Sequence, residues 1–130
     1  MRILIADDHP AIRNGIKSLL LSVCPTLEFG EAGNGSEVIR WLAESNWTVL
    51  VLDVDMPGCS GFEVLEHIRD QGLGIPVLMF SFHKEEQIIS RAFELGAAGY
   101  LTKDGGGLLM TAIRRILAGE RNLRLPGNRD

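Results

Sequence analysis

Short apolar runs alternate along the chain with stretches whose apolar residues recur at helical spacing. Five runs have almost no polar interruption, which is typical of strands buried on both faces. They cover residues 2–6, 27–32, 48–52, 75–80 and 99–101, and the second of them is the weakest. Each run is followed by a segment with apolar residues three or four positions apart, which predicts an amphipathic helix. The chain therefore consists of five strand–helix repeats.

Helices that connect buried strands act as right-handed crossovers between parallel neighbours. The pattern therefore predicts an α/β fold, a doubly wound parallel sheet with five helices. Residues 120–130 hold few apolar side chains, and we interpret them as a linker or tail after a domain of residues 1–119. Residues 105–107 are all glycine, and each costs helix about 1 kcal/mol relative to alanine, so we expect the fifth helix to start late.

Composition restricts the classes of function. A chain of 130 residues suits one domain, and its net charge of -4 argues against direct binding of nucleic acid, which needs clustered Lys and Arg. No apolar run is long enough to span a bilayer, and the first ten residues do not resemble a secretory signal. Cys24 and Cys59 lack metal-ligand spacing, and we interpret them as reduced thiols in a cytosolic protein.

Polar side chains follow four of the predicted strands, at the points where the strands end. These are Asp7 and Asp8 after the first strand, Asp53 and Asp55 after the third, Ser81 after the fourth and Lys103 after the fifth. The functional site of a parallel α/β sheet lies beyond the carboxyl ends of its strands, so we expect these side chains to share one crevice. The three histidines, His9, His67 and His83, show no ligand spacing, and we interpret them as surface residues.

This set of side chains indicates a particular chemistry. Clustered carboxylates repel one another unless a cation lies between them, and oxygen ligands favour Mg²⁺ or Mn²⁺ over zinc. A divalent ion held by Asp7, Asp8 and Asp53 would leave positions open for phosphoryl oxygens. Lys103 would neutralise another phosphoryl oxygen, and the Ser81 hydroxyl would donate a hydrogen bond to a third. A carboxylate can attack phosphorus to form an acyl phosphate, so Asp53 is the candidate nucleophile.

Each of these residues also has an ordinary structural explanation. Asp7 and Asp8 could cap the first helix. Ser81 could cap a later helix, and Lys103 could extend into solvent. Tyr100 could be a plain core residue. Their joint placement at strand ends favours the functional interpretation over these separate explanations.

Four motifs, in this order, resemble the response-regulator receiver domains of two-component signalling. They are LIADDHP, VLVLDVDMPGCSGFEVL, VLMFSFH and GAAGYLTKD, and the resemblance covers roughly residues 1–119. The segments GAAGYLTKD and RILAGERNL are most similar to the NarL/LuxR-type branch of that family. The resemblance implies a flavodoxin-like sheet with strand order 2-1-3-4-5.

The resemblance also implies a role for each candidate residue. Asp53 would be the phosphoacceptor, and Lys103 would contact the phosphoryl group. Asp8 and the backbone carbonyl of Asp55 would bind the metal, with Asp7 acting through a water molecule.

Two further residues would form a switch in such a domain. Ser81 would move toward the phosphoryl group, and Tyr100 would turn inward to fill the space behind it. The result is a two-state equilibrium that one covalent charge biases.

The resemblance implies partners as well. The phosphodonor would be a sensor histidine kinase, and the domain would catalyse only its own phosphorylation and dephosphorylation, so it would not be an enzyme in the usual sense. DNA would be reached only through a helix-turn-helix domain absent from this chain. Homodimer formation stays open, and the late start of the fifth helix counts against an interface there. The expected location is the cytoplasm, with no membrane contact.

Two positions depart from the usual receiver pattern. Phe82 follows Ser81, where the family usually has a small residue, and we expect its ring to restrict access by phosphodonors or water. Asp55 adds an acid near the site, which we expect to raise the pKa of Asp53 or to favour metal binding.

Two other functions compete with this interpretation. A phosphohydrolase of the haloacid-dehalogenase type would use Asp53 and Asp55 as its Asp-x-Asp motif, although that motif normally follows the first strand. A receiver that acts as a binding module without phosphorylation is the other alternative.

Overall fold

The computed structural model describes residues 1–125, so residues 126–130 of the predicted linker lie outside the described part. The strands are β1 (Arg2–Ala6), β2 (Glu28–Ala32), β3 (Val49–Leu52), β4 (Val77–Ser81), β5 (Gly99–Thr102) and β6 (Leu123–Arg124). The helices are α1 (Pro10–Val23), α2 (Gly35–Glu44), α3 (Gly61–Asp70), α4 (Glu86–Glu94) and α5 (Leu109–Leu117). A 3₁₀ segment, Lys103–Leu108, precedes α5.

The strands form one parallel sheet in the order β2-β1-β3-β4-β5-β6. The doubly wound parallel fold and the order 2-1-3-4-5 of the first five strands are thus confirmed. The sixth strand lies within residues 120–130, so the sheet continues into the segment interpreted as a linker. Leu123 is buried, and the Arg124 guanidinium donates two hydrogen bonds, of 3.0 and 2.7 Å, to the Glu86 carboxylate of α4.

Side chains of the central strands alternate between two apolar cores. Ile3 and Ile5 of β1 pack in the core that α1 and α5 cover. Leu4 and Ala6 pack in the core that α2, α3 and α4 cover. Because both faces of the sheet are buried, these strands lack the polar alternation of a half-exposed sheet.

Local sequence signals fix the ends of several helices. Ser60 and Glu63 form a capping box at the start of α3: the Glu63 N–H donates to Ser60 Oγ at 3.3 Å, and the Ser60 N–H donates to the Glu63 carboxylate at 2.9 Å. The predicted late start of the fifth helix is confirmed, since α5 begins at Leu109 after the glycine run.

Across residues 1–125 we find no helix with the length and apolar content needed to cross a membrane.

The first turn of α3 packs against the backbone that follows β3. The Gly61 N–H donates to the Val54 carbonyl at 2.9 Å. A Cβ atom at residue 61 would lie 2.2 Å from the carbonyl oxygen of Asp53, so a side chain would clash there. The absence of a side chain at Gly61 therefore lets α3 hold the backbone of Asp53 in place.

We expect Gly61→Ala to lower the free energy of unfolding by about 1–3 kcal/mol, because the methyl group overpacks a rigid backbone contact. Gly15→Ala is the matched control: its Cβ meets nothing within 4 Å, and in a helix alanine is favoured by up to about 1 kcal/mol. Urea denaturation measures both variants. Equal stabilities would contradict the proposed packing of Gly61 on Asp53.

Candidate functional site

The buried polar residues of the described chain gather at one end of the sheet. Within residues 1–125, the polar residues that are buried are Asp7, Asp53 and Ser81. Asp7 follows β1, Asp53 follows β3 and Ser81 ends β4. They therefore lie at the carboxyl ends of three adjacent strands, as the sequence predicted. Burial of unpaired polar groups is costly, and each of the three has a polar partner.

Lys103 forms ion pairs with two of these buried groups. Its Nζ atom lies 2.7 Å from Asp7 Oδ2 and 3.2 Å from Asp53 Oδ2. Its side chain is 3% exposed, so the alternative of a solvated lysine is wrong. Lys103 follows β5, and its ammonium therefore reaches across the end of β4 to join β1, β3 and β5.

The pKa of Asp53 is raised above its ordinary value. Burial is the main cause, because it disfavours the charged carboxylate, and the neighbouring charge of Asp7 adds to it. The ammonium of Lys103 acts in the opposite direction and recovers part of the shift. We expected the acid Asp55 to raise this pKa or to favour metal binding, and that stays a prediction; the backbone of Asp55 forms a hydrogen bond to Asp53 that lowers the pKa.

A group of metal-binding atoms surrounds Asp53. One ligand atom each from Asp7, Asp8, His9 and Asp53 lies within 4.8 Å of the others. The carboxylate oxygens are the donors that Mg²⁺ or Mn²⁺ prefers, so the three acids fit such an ion. His9 is an addition to the predicted set: its Nδ1 lies 2.9 Å from Asp7 Oδ1 and 3.0 Å from Asp8 Oδ1. His9 also occupies the N-cap position of α1, so neither acid does.

The Asp55 side chain lies apart from this group. It is 74% exposed, and its Oδ2 is 2.5 Å from Nε2 of His83. The hydrogen bond to Asp55 is the main reason that the pKa of His83 is raised. His83 was not among the predicted site residues, although Asp55 lies two residues beyond Asp53 and His83 lies two residues beyond Ser81. That shared offset at adjacent strand ends was the available signal.

His83 also connects the two predicted switch residues. Its backbone N–H donates to Ser81 Oγ at 3.3 Å, and its carbonyl accepts a hydrogen bond from the Tyr100 hydroxyl at 2.9 Å. The Tyr100 ring is buried, and burial raises the pKa of its phenol. Ser81 does not cap α4, whose N-cap residue is Glu85.

Phe82 is exposed at the mouth of the site. Phe82 is 64% exposed, which is a large exposed fraction for an aromatic residue. The Nζ atom of Lys103 lies 5.0 Å from the ring centroid, within the range of a cation–π contact. Phe82 therefore covers one side of the ammonium whose other contacts are Asp7 and Asp53.

Comparison with known proteins agrees with this geometry. The family model described as the response regulator receiver domain matches residues 3–114. The chain belongs to the response regulator receiver domain family. This receiver domain is 35% identical over 127 residues to the transcriptional activator protein ExaE of Pseudomonas putida, which covers 97% of this chain and 59% of the relative. It is also 35% identical over 119 residues to the nitrate/nitrite response regulator protein NarL of Escherichia coli K12. That match covers 91% of this chain and 55% of the relative.

Solved structures show the same fold. A two-component response regulator of the LuxR family from Aurantimonas matches with a TM-score of 0.85 and 35% identity, covering 94% of this chain and 88% of that chain. The signal receiver domain of the NarL regulator from Mycobacterium tuberculosis matches with a TM-score of 0.84 and 32% identity, covering 92% and 97%. These relatives confirm the NarL/LuxR-type resemblance.

The comparisons favour one of the competing functions. The receiver domain is a signalling domain of two-component systems, and this favours the phosphorylation switch over a haloacid-dehalogenase-type phosphohydrolase or a phosphorylation-independent module. The domain is not a catalytic enzyme in the usual sense. The chain spans 55–59% of the length of the two curated relatives named above.

We expect Lys103→Met to lower the free energy of unfolding by about 3 kcal/mol or more at neutral pH, because it leaves two buried carboxylates without a counter-charge. Without the ammonium, the pKa of Asp53 in the folded domain rises further above its unfolded value. The folded variant then binds protons more tightly than the unfolded chain, so its stability increases as the pH falls.

Denaturation with urea at about pH 7 and about pH 5 tests both effects. The control is Lys84→Met, which removes an exposed ammonium 2.8 Å from Asp104 and should cost less than about 1 kcal/mol. Similar losses for Lys103→Met and Lys84→Met would contradict the assigned role of the buried ammonium.

Proposed function

We propose that this receiver domain accepts a phosphoryl group on Asp53 from the phosphohistidine of a sensor histidine kinase. The observation that carries the proposal is the placement of Asp53 at the end of β3, buried, with the Lys103 ammonium 3.2 Å from its Oδ2. A nucleophile in this position needs positioning and charge neutralisation more than acid–base help.

In the proposed step, a carboxylate oxygen of Asp53 attacks phosphorus and forms the O–P bond of an acyl phosphate. The P–N bond of the phosphohistidine breaks, and the imidazole leaves with the electron pair and takes up a proton. Lys103 would shift from the Asp53 carboxylate to a phosphoryl oxygen, since one ammonium has three donors and keeps its contact with Asp7. The burial that raises the pKa of Asp53 also excludes water from the nucleophile.

We further propose that Asp8, Asp53 and the backbone carbonyl of Asp55 hold Mg²⁺ or Mn²⁺, with Asp7 in support. When bound, the ion supplies positive charge that stabilises the phosphoryl oxygens during transfer. The proximity of the Asp7, Asp8 and Asp53 oxygens supports this assignment.

Ser81 and Tyr100 are the proposed switch residues. Ser81 Oγ would donate a hydrogen bond to the new phosphoryl group, and Tyr100 would occupy the space behind the loop between β4 and α4. Their common contact with His83 supports this coupling, because a shift of Ser81 moves the backbone that Tyr100 binds.

The proposed output is control of transcription through a DNA-binding domain outside this chain, because the matched relatives include a transcriptional activator. A cytoplasmic location is proposed with it, and the free thiols of Cys24 and Cys59 favour a reducing compartment. Formation of a homodimer remains a prediction.

Intact-mass spectrometry after incubation with acetyl phosphate and Mg²⁺ tests the proposal. We expect one phosphoryl group on the wild type, none on Asp53→Asn, and much slower labelling of Asp8→Asn. Asp104→Asn is the matched control, since this acid is exposed and pairs with Lys84 away from the acid group. Equal labelling of the wild type and Asp53→Asn would reject Asp53 as the phosphoacceptor.

We expect Phe82→Ala to accelerate loss of the phosphoryl group by roughly tenfold, because water gains access to the side of Lys103 that the ring covers. Phe82→Leu is the informative comparison: it keeps apolar bulk and loses the aromatic face. An intermediate rate for leucine would assign part of the effect to the cation–π contact. Identical decay of the wild type and Phe82→Ala would show that the ring does not shield the site.

A further inference from the structure

Arg13 contacts the backbone between two of the candidate metal ligands. It lies one turn into α1, and its side chain is 18% exposed. Its Nη1 donates a hydrogen bond of 2.5 Å to the backbone carbonyl of Asp7, and its Nε donates one of 2.9 Å to the Glu31 carboxylate of β2. One guanidinium therefore connects α1, the edge strand β2 and the chain that follows β1.

Neighbouring contacts fix the partner of this guanidinium. The Glu31 carboxylate also accepts a hydrogen bond of 2.6 Å from Lys17 Nζ, and the Glu31 backbone carbonyl accepts one of 2.9 Å from Trp41 Nε1 of α2. The hydrogen bond from Lys17 is the main cause that lowers the pKa of Glu31, so its carboxylate stays charged. Arginine presents its N–H donors in a planar fork, which lets one side chain bind this carboxylate and a carbonyl at the same time.

The Asp7 carbonyl belongs to the peptide unit that joins Asp7 to Asp8. A peptide unit is planar, so a contact that fixes its carbonyl oxygen fixes the orientation of the whole unit. The Asp7 carboxylate has further anchors, since it lies 2.7 Å from Lys103 Nζ and accepts from the His9 N–H at 2.9 Å. The Asp8 side chain is 35% exposed and pairs with the exposed imidazole of His9. The direction of the Asp8 carboxylate therefore depends largely on its backbone.

We infer that Arg13 is a positioning residue, which holds the Asp7–Asp8 peptide unit so that the Asp8 carboxylate faces the metal site. Arg13 acts through the backbone and does not itself bind the ion. This inference rests on the proposed binding of Mg²⁺ or Mn²⁺ by Asp8 and Asp53. It adds to that site a determinant of metal affinity that lies in α1.

The charge of Arg13 gives the test a clear direction. Removal of a positive charge near a cation site strengthens cation binding by Coulomb attraction alone. Loss of positioning has the opposite effect, because removal of a group that orients a metal ligand costs about 10–100-fold in metal affinity. We therefore expect Arg13→Met to weaken Mg²⁺ binding by about tenfold, measured by isothermal titration calorimetry on the unphosphorylated domain.

Lys17→Met is the matched control. It also removes a positive charge and an ion pair with Glu31, while the contact of Arg13 with the Asp7 carbonyl stays in place. We expect its Mg²⁺ affinity to stay within about twofold of the wild type, because solvent screens a partly exposed charge.

A second variant separates the charge of Arg13 from its geometry. Arg13→Lys keeps the charge and loses the fork, so we expect it to bind Mg²⁺ about as weakly as Arg13→Met. Urea denaturation shows whether each variant is folded, and Arg13→Lys carries the test if Arg13→Met is not.

Amide hydrogen exchange of the metal-free domain provides a readout that does not depend on Mg²⁺. The His9 N–H donates to Asp7 Oδ1, so its exchange rate reports the local order of the chain after β1. We expect Arg13→Met to accelerate exchange at His9 by about tenfold, while Lys17→Met leaves it unchanged.

The outcomes separate this inference from the proposed function. If the wild type binds no Mg²⁺, the proposed metal site fails, and exchange at His9 still tests the positioning role. Wild-type Mg²⁺ affinity in either Arg13 variant, an equal loss of affinity in Lys17→Met, or unchanged exchange at His9 in Arg13→Met would each overturn the inference.

Discussion

The ammonium of Lys103, held between Asp7 and Asp53, is the interaction on which the rest of the site depends. Two carboxylates at the ends of neighbouring strands repel each other in a region with little water. The single positive charge of Lys103, which follows β5, offsets that repulsion and connects the ends of β1, β3 and β5. Its position depends on the parallel topology, since residues 7, 53 and 103 meet only when the strands point the same way.

The same ammonium determines whether Asp53 can act as a nucleophile. Burial favours the protonated carboxyl group, which cannot attack phosphorus, while Lys103 favours the carboxylate. Burial of these charged groups costs folding free energy, because uncharged side chains of similar size would be less costly to bury. Opposed effects of this kind on one group are typical of functional sites and uncommon in ordinary cores.

The sequence predicted the parts of this arrangement that follow from position along a strand. Continuous apolar runs predicted the central strands, and the rule that strand ends share one edge brought Asp53 and Lys103 together. The strand β6 was missed because two residues have no measurable periodicity, and its pairing with β5 is decided by tertiary contacts. His83 was missed because its partner Asp55 is 28 residues away in sequence, and only the equal offset of the two residues from adjacent strand ends connects them.

The added strand β6 also bears on how the sheet behaves toward other molecules. An uncovered edge strand offers unpaired backbone groups to which another chain can add, and this is a common start of aggregation. Here β6 pairs with β5, and it is itself two residues long, so it offers a short template. At the opposite edge, β2 carries the charged residues Glu28 and Glu31. Short length at one edge and charged side chains at the other both oppose strand addition, which favours a domain that stays dispersed when concentrated.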